Sequence, residues 1–419
     1  MERINTPSVK DIKSNHTNVP LSVSLKSDLT KKIGRVFDVF TTSNHSPVTS
    51  KEWLSYFDGT GRILSMTGVK LSIFSNNLDQ TVRQEAWPHL LGIFPVDLTS
   101  EERNRFLFMK TQVYKHLKEN WKAKNQKEIE PLTHMIQKDV LRTDRTHPYF
   151  NVKEDHPNVV SLFNILTTFA FNHPEISYCQ GMSDLASPLL VVLEDEVLAY
   201  LCFCKVMERL RNNFLLKGKA LMEKFSQLQL LLLLADKPLH DHVQTIDGGN
   251  LYFCYRMLLL ELKREFPFED AINVMETIWS SSPPQNTHDN NENDDKDHDY
   301  YQQLVSFNTQ IPQDDSIDFS RVPAPRDLND GSPFPLFLCL AIFILNKDQI
   351  LELEDYTMLA MLFDKLSRKL DAAKVVEKGK SLYFKYLNDY LLKSKQVPSS
   401  FLDECLENTY GTSSTAAQC

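Results

Sequence analysis

Glycine is scarce, at 12 of 419 residues. Hairpin-rich sheets need glycine at their tight turns, and strict apolar–polar alternation is just as rare here, so a mainly β architecture is set aside. Cysteine is sparse too, with 7 residues, odd in number and widely spaced. That excludes a secreted disulfide framework and favours reduced thiols in a cytosolic protein. Long apolar runs are missing. The run from Phe334 to Leu345 has 12 residues, against the roughly 20 that a spanning helix needs, so no transmembrane segment is expected. An excess of positive charge is missing as well. Lys plus Arg is 46 and Asp plus Glu is 55, a formal charge of −9; a nucleic-acid binder usually shows the reverse. Met1 to Lys13 holds no apolar core and so no secretory signal.

What is there is an ordinary globular composition, 42% hydrophobic and 24% charged, enough for a sizeable core. The fold class expected is all-α. Helical periodicity predicts helices near 78–91, 99–124, 128–141, 157–172, 180–191, 194–214, 218–235, 249–265 and 267–280, then 334–350, 354–369 and 371–394. Residues 1–75 read as an N-terminal arm with one amphipathic helix, where Leu25, Leu29, Ile33, Val36, Phe37 and Phe40 share a face. From 281 to 332 the composition breaks. Between Asp289 and Asp299 stand six acids and one lysine, and such a segment buries too little apolar surface to offset its ordering entropy. A disordered acidic insertion is expected there. The helices that follow are too few to stand alone, so one domain spans 76–390, ahead of a polar tail over 391–419.

Several chemistries lack their residues. Cys202 and Cys204 have no second pair, and a structural zinc site needs four ligands; no metal site is expected. His240 and His242 would point apart on a helix. No Walker-type phosphate loop is present. Cys179 has only His173 nearby in sequence as a base. Two segments stand out instead. In Ile136-Gln-Lys-Asp139-Val-Leu-Arg142, Asp139 and Arg142 are i,i+3 neighbours on a helix face, so the carboxylate can fix the guanidinium. In Tyr178-Cys-Gln180-Gly181, a polar amide stands between an aromatic and a glycine ahead of a helix starting about Met182. Taken alone, Arg142 reads as a solvated helix-end arginine and Gln180 as a cap.

Together these segments, 38 residues apart, resemble the TBC (Tre-2/Bub2/Cdc16) domain, an all-helical activator of Rab GTPases. They match its IxxDxxR and YxQ motifs. Arg83-x-x-x-Trp87 followed by Leu-Leu-Gly92, and the stretch Tyr252 to Phe266, resemble two further family signatures. Met257 stands where the family has tryptophan, which implies adjusted packing. One branch of the family carries an insertion at the same place, with a ubiquitin-like region ahead of the domain. The 75 residues here are too few for that region.

The resemblance implies an activity in trans, without an independent catalytic reaction. Arg142 would be an arginine finger, worth about 10³–10⁵ in rate in GTPase systems, and Gln180 a glutamine finger orienting the attacking water. Asp139 would position Arg142, Tyr178 would pack beneath the glutamine loop, and Gly181 would allow close approach. Arg83, Trp87 and Arg256 read as structural, and Arg145 is the nearest competitor of Arg142. The partner would be a GTP-bound Rab carrying its own GTP and magnesium, with no cofactor on this chain. The protein would be cytoplasmic, recruited peripherally to vesicle or autophagosome membranes. The competing reading is a non-catalytic Rab-binding or autophagy adaptor. Tyr301 with Leu304, and Phe319 with Val322, resemble the short acidic motif that docks on ubiquitin-like autophagy modifiers by strand addition.

Overall fold

The computed structural model describes residues 46–215, 218–284, 293–308, 312, 314 and 316–396. The amphipathic helix expected over 23–40 and the tail beyond 396 lie outside the described residues. The chain runs through α1 (Ser50–Ser55), α2 (Met66–Asn76), α3 (Gln80–Leu90), α4 (Ser100–Lys122), α5 (Gln126–Val140) and α6 (Pro157–Asn172). It continues with α7 (Met182–Leu193), α8 (Glu196–Phe214), α9 (Lys219–Ala235), α10 (Lys237–Thr245), α11 (Tyr255–Leu259) and α12 (Phe268–Ser280). The last are α13 (Asn293–Phe307), α14 (Phe334–Leu345), α15 (Lys347–Leu351), α16 (Tyr356–Leu366) and α17 (Ala372–Gln396). Among the described residues there is no strand, only two isolated bridges, as the scarcity of glycine and of alternation predicts.

Local chemistry sets the helix ends near the site. Thr99 and Glu102 form a reciprocal capping box at the start of α4, satisfying two backbone donors. Asn125 caps α5, and Pro157 opens α6, where its missing N–H costs nothing. Helix α7 starts differently. Its cap is Gly181, at φ 102°, a conformation only glycine adopts without strain. A Cβ there would lie 3.2 Å from Leu260 Cδ2, so the glycine also admits the neighbouring turn.

The apolar run at α14 is core. Phe334, Leu336, Phe337, Leu340, Ile342 and Phe343 are all fully buried. The helix packs along α17, with the Phe337 ring 5.3 Å from Tyr383 and 5.1 Å from Tyr386. Among the described residues no helix is long and apolar enough to cross a membrane.

Four expectations need correction. The arm assigned to 1–75 is packed from Val48 onward: Trp53, Val69, Ile73 and Phe74 are buried, and α2 lies against α12. The helix expected over 249–265 breaks after Leu259, because Glu261 and Leu262 take positive φ, 48° and 60°. The Glu261 carboxylate faces Arg209 Nη2 at 2.5 Å and accepts from Trp279 Nε1 at 3.2 Å, interactions that offset the left-handed backbone.

The third is the acidic insertion, whose described parts are ordered. In α13, Tyr300, Tyr301 and Leu304 form one buried face, and the Tyr300 hydroxyl donates to Ser280 O at 2.5 Å. Farther on, Ile317, Phe319 and Val322 are buried. The Phe319 N–H donates to Asp389 Oδ2 at 2.8 Å, and its ring meets Phe337 at 5.8 Å. Net charge hid a short apolar stripe that one packed surface suffices to hold. The same burial corrects the docking reading. Tyr301, Leu304, Phe319 and Val322 would have to enter a partner's pockets, and here they fill this protein's own core.

Candidate functional site

Helix α5 ends at Val140, and the next turn carries Arg142 outward. Ile136 and Val140 are buried, which turns Asp139 inward to 2% exposure. The Arg142 side chain stays 58% exposed. Arg142 Nε and Nη2 each lie 2.9 Å from Asp139 Oδ1, so one edge of the planar guanidinium is pinned while its charge remains at the surface.

The other carboxylate oxygen reaches the second segment. Asp139 Oδ2 accepts from Gly181 N at 3.0 Å, from Ser183 Oγ at 3.0 Å and from the Tyr178 hydroxyl. One buried carboxylate therefore ties the arginine turn to the loop bearing Gln180. Gln180 itself is exposed. It borders, with Arg142, a surface depression of about 310 Å³ whose wall includes Pro131, Met135 and Tyr178.

The electrostatics follow from that geometry. Burial alone would raise the Asp139 carboxyl. The Gly181 N–H, the Tyr178 hydroxyl, Arg142 and Ser183 outweigh it and hold the group below the usual carboxylate range. Burial, then the Asp139 hydrogen bond and charge, push the Tyr178 phenol well up, so it stays a donor. Burial and Asp139 also raise the Cys179 thiol. That opposes thiolate formation, and His173 instead stacks on Phe169 with ring centroids 4.5 Å apart. A thiol hydrolase has no support here.

The remaining candidates lie elsewhere. Arg145 turns inward and donates from Nη2 to Val152 O at 2.6 Å, which removes it from competition with Arg142. Arg83 and Trp87 are buried and converge on Glu276 Oε1, at 2.8 and 2.9 Å. They hold the core between α3 and α12. Arg256 pairs with buried Glu265 at 3.0 Å. Among the described residues no group of three His, Cys, Asp or Glu side chains is arranged to hold a metal ion. Sequence reasoning missed Thr143 and Ser183. The Thr143 hydroxyl meets Asp139 O and Ser183 Oγ, each at 2.7 Å, a second link between the segments. Small hydroxyls beside two motif residues carry no signal until their backbones are placed.

Residues 80–288 match the profile of the Rab-GTPase-TBC domain. The chain is similar to human TBC1 domain family member 25, with 39% identity over 274 residues, covering 64% of this chain and 40% of that protein. It is also similar to the GTPase-activating protein gyp7 of Schizosaccharomyces pombe, 32% identical over 253 residues, which cover 56% of this chain and 34% of that one. The matched stretch thus spans well under half of either relative. Among solved structures, the Ypt/Rab-GAP domain of Gyp1p superposes with a TM-score of 0.60 at 18% identity, covering 86% of this chain and 99% of that one. That likeness is one of fold.

Proposed function

Residues 80–288 belong to the Rab-GTPase-TBC domain family, and from that premise we propose that this chain accelerates GTP hydrolysis by a Rab GTPase in trans. The observation that carries the reading is the shared carboxylate: Asp139 fixes the exposed Arg142 and the backbone beside Gln180 at the rim of one depression. In hydrolysis a water oxygen bonds to the γ-phosphorus as the bond to the β-phosphate oxygen breaks. GDP leaves, and the water's proton ends on phosphate. Negative charge spreads over the transferring group and the leaving oxygen. Arg142 supplies the fixed positive fork that this charge needs. Gln180 offers a carbonyl to accept from the water and an amide N–H to donate. GTP and magnesium arrive with the partner. The reading includes peripheral recruitment to vesicle or autophagosome membranes by a partner.

The test is single-turnover GTP hydrolysis by a panel of purified Rabs, with wild type, Arg142→Ala and Gln180→Ala. Wild type is expected to accelerate one or a few Rabs by about 10³-fold or more, with Arg142→Ala losing most of it. Binding without acceleration on every Rab would favour a non-catalytic adaptor.

A further inference from the structure

Behind the two segments lies a second set of charges that the activity as described does not use. Lys263 and Arg264 stand in the turn that follows α11. The Lys263 side chain is only 3% exposed. Its ammonium contacts Asp144 Oδ2 and lies 3.6 Å from Asp184 Oδ1. Asp144 is two residues past Arg142, and Asp184 is four past Gln180, in the first turn of α7. Arg264 Nη2 adds a contact of 2.5 Å to Asp184 Oδ2. Two buried carboxylates, one from the turn after α5 and one from the first turn of α7, would repel if left alone in a low-dielectric interior. A cation between them turns that repulsion into a joint.

Asp139 and the Thr143–Ser183 hydrogen bond already join the segments near the two fingers, and behind them the Ser187 hydroxyl donates to Asp144 Oδ2. None of these bonds supplies a positive charge to Asp144 and Asp184 together; the Lys263 ammonium touches both. We propose that Lys263 is a positioning residue for the activating reaction: by bridging Asp144 and Asp184 it holds the Arg142 turn and the Gln180 loop in one mutual orientation. This rests on the reading of the function given above. The chain beyond the insertion braces the same turn. Arg368 N donates to Arg264 O at 3.0 Å, the Ser367 hydroxyl donates to the same oxygen at 2.9 Å, and the Arg368 guanidinium lies 3.7 Å from Asp144 Oδ1.

The test uses the full chain with Lys263→Met, which keeps the stem and removes the charge. Asp144→Asn serves as a gentler second variant, since its side-chain oxygen can still accept. Amide exchange is expected to speed up about tenfold or more over residues 139–145 and 177–184, with α14 and α17 unchanged, as local opening without global unfolding requires. Turnover at saturating activator should fall about 10- to 100-fold, the scale of a small misplacement, while affinity for the GTP-analogue-loaded Rab changes less than about twofold. In an Arg142→Ala background the same substitution should cost little more, because it acts through the fingers. Unchanged exchange in both loops would overturn the proposal, as would a turnover loss that persists undiminished in the Arg142→Ala background or follows weaker binding. Exchange reads the joint whether or not any Rab is accelerated, so an inactive wild type counts against the proposed function and not against the joint.

Discussion

Asp139 carries an unusual load for one carboxylate: the Arg142 guanidinium on one oxygen, and a backbone N–H and two hydroxyls on the other. Replacing it with Ala strands the three buried donors on Oδ2, at about 1–3 kcal/mol for each left unsatisfied. Asp139→Ala is therefore expected to lower the urea midpoint and remove nearly all acceleration of GTP hydrolysis, whereas Arg142→Ala removes the acceleration alone. The pH dependence has a definite sign. The folded carboxyl is held below its ordinary range, so its stabilising contribution is complete above the unfolded value, near 3.9, and is lost as pH falls through the folded one. Acceleration should be flat between about pH 8 and 5 as far as Asp139 is concerned. An inflection that moves in Asp139→Asn would contradict this. Gly181→Ala places a Cβ at positive φ and against Leu260, costing about 1–2 kcal/mol from backbone conformation alone. Its thermal midpoint should drop along with its activity. At this scale much was legible: the spacing of Asp139 and Arg142, and the Tyr178–Gly181 cluster, are patterns along the chain. Lys263 was not legible, because its meaning comes only from carboxylates folded against it from far away.

At the scale of elements, the long amphipathic helices followed from periodicity, while the capping box at Thr99 and the opening proline at Pro157 emerged with the structure. What failed, failed for identifiable reasons. The short helices α1 and α10 carry too few turns to show a period. The break after Leu259 depends on partners of Glu261 that lie on other helices. Charge density masked α13, and the buried anchors Ile317 and Phe319 are spaced as in any loop. The two readings of Phe319 separate cleanly. As a core anchor, its replacement by Ala should cost about 3–5 kcal/mol in urea unfolding. As an exposed docking residue it would leave stability unchanged.

For the whole molecule, the stretch that matches the family profile, 80–288, is not the packed unit. Helix α2 before it lies against α12, and α14 and α17 after it form an extensive helix pair. Lys70 of α2 donates to the carbonyls of Trp279 and Ser282, at 3.2 and 2.9 Å. A chain cut to 80–288 should therefore unfold without a cooperative transition, seen by circular dichroism in urea. The charged joint beneath the loops has a consequence in time as well. It links Asp144 to Lys263 across 119 positions and Arg264 to Ser367 across 103. Isolated helices form within about a microsecond, whereas closing long loops must wait for the rest of the chain to collapse. During refolding from urea, helical signal should return first and GTPase stimulation last. A newly made chain would thus look folded before it can act, and a mutation that slows this last closure would lengthen the silent interval without altering the final activity.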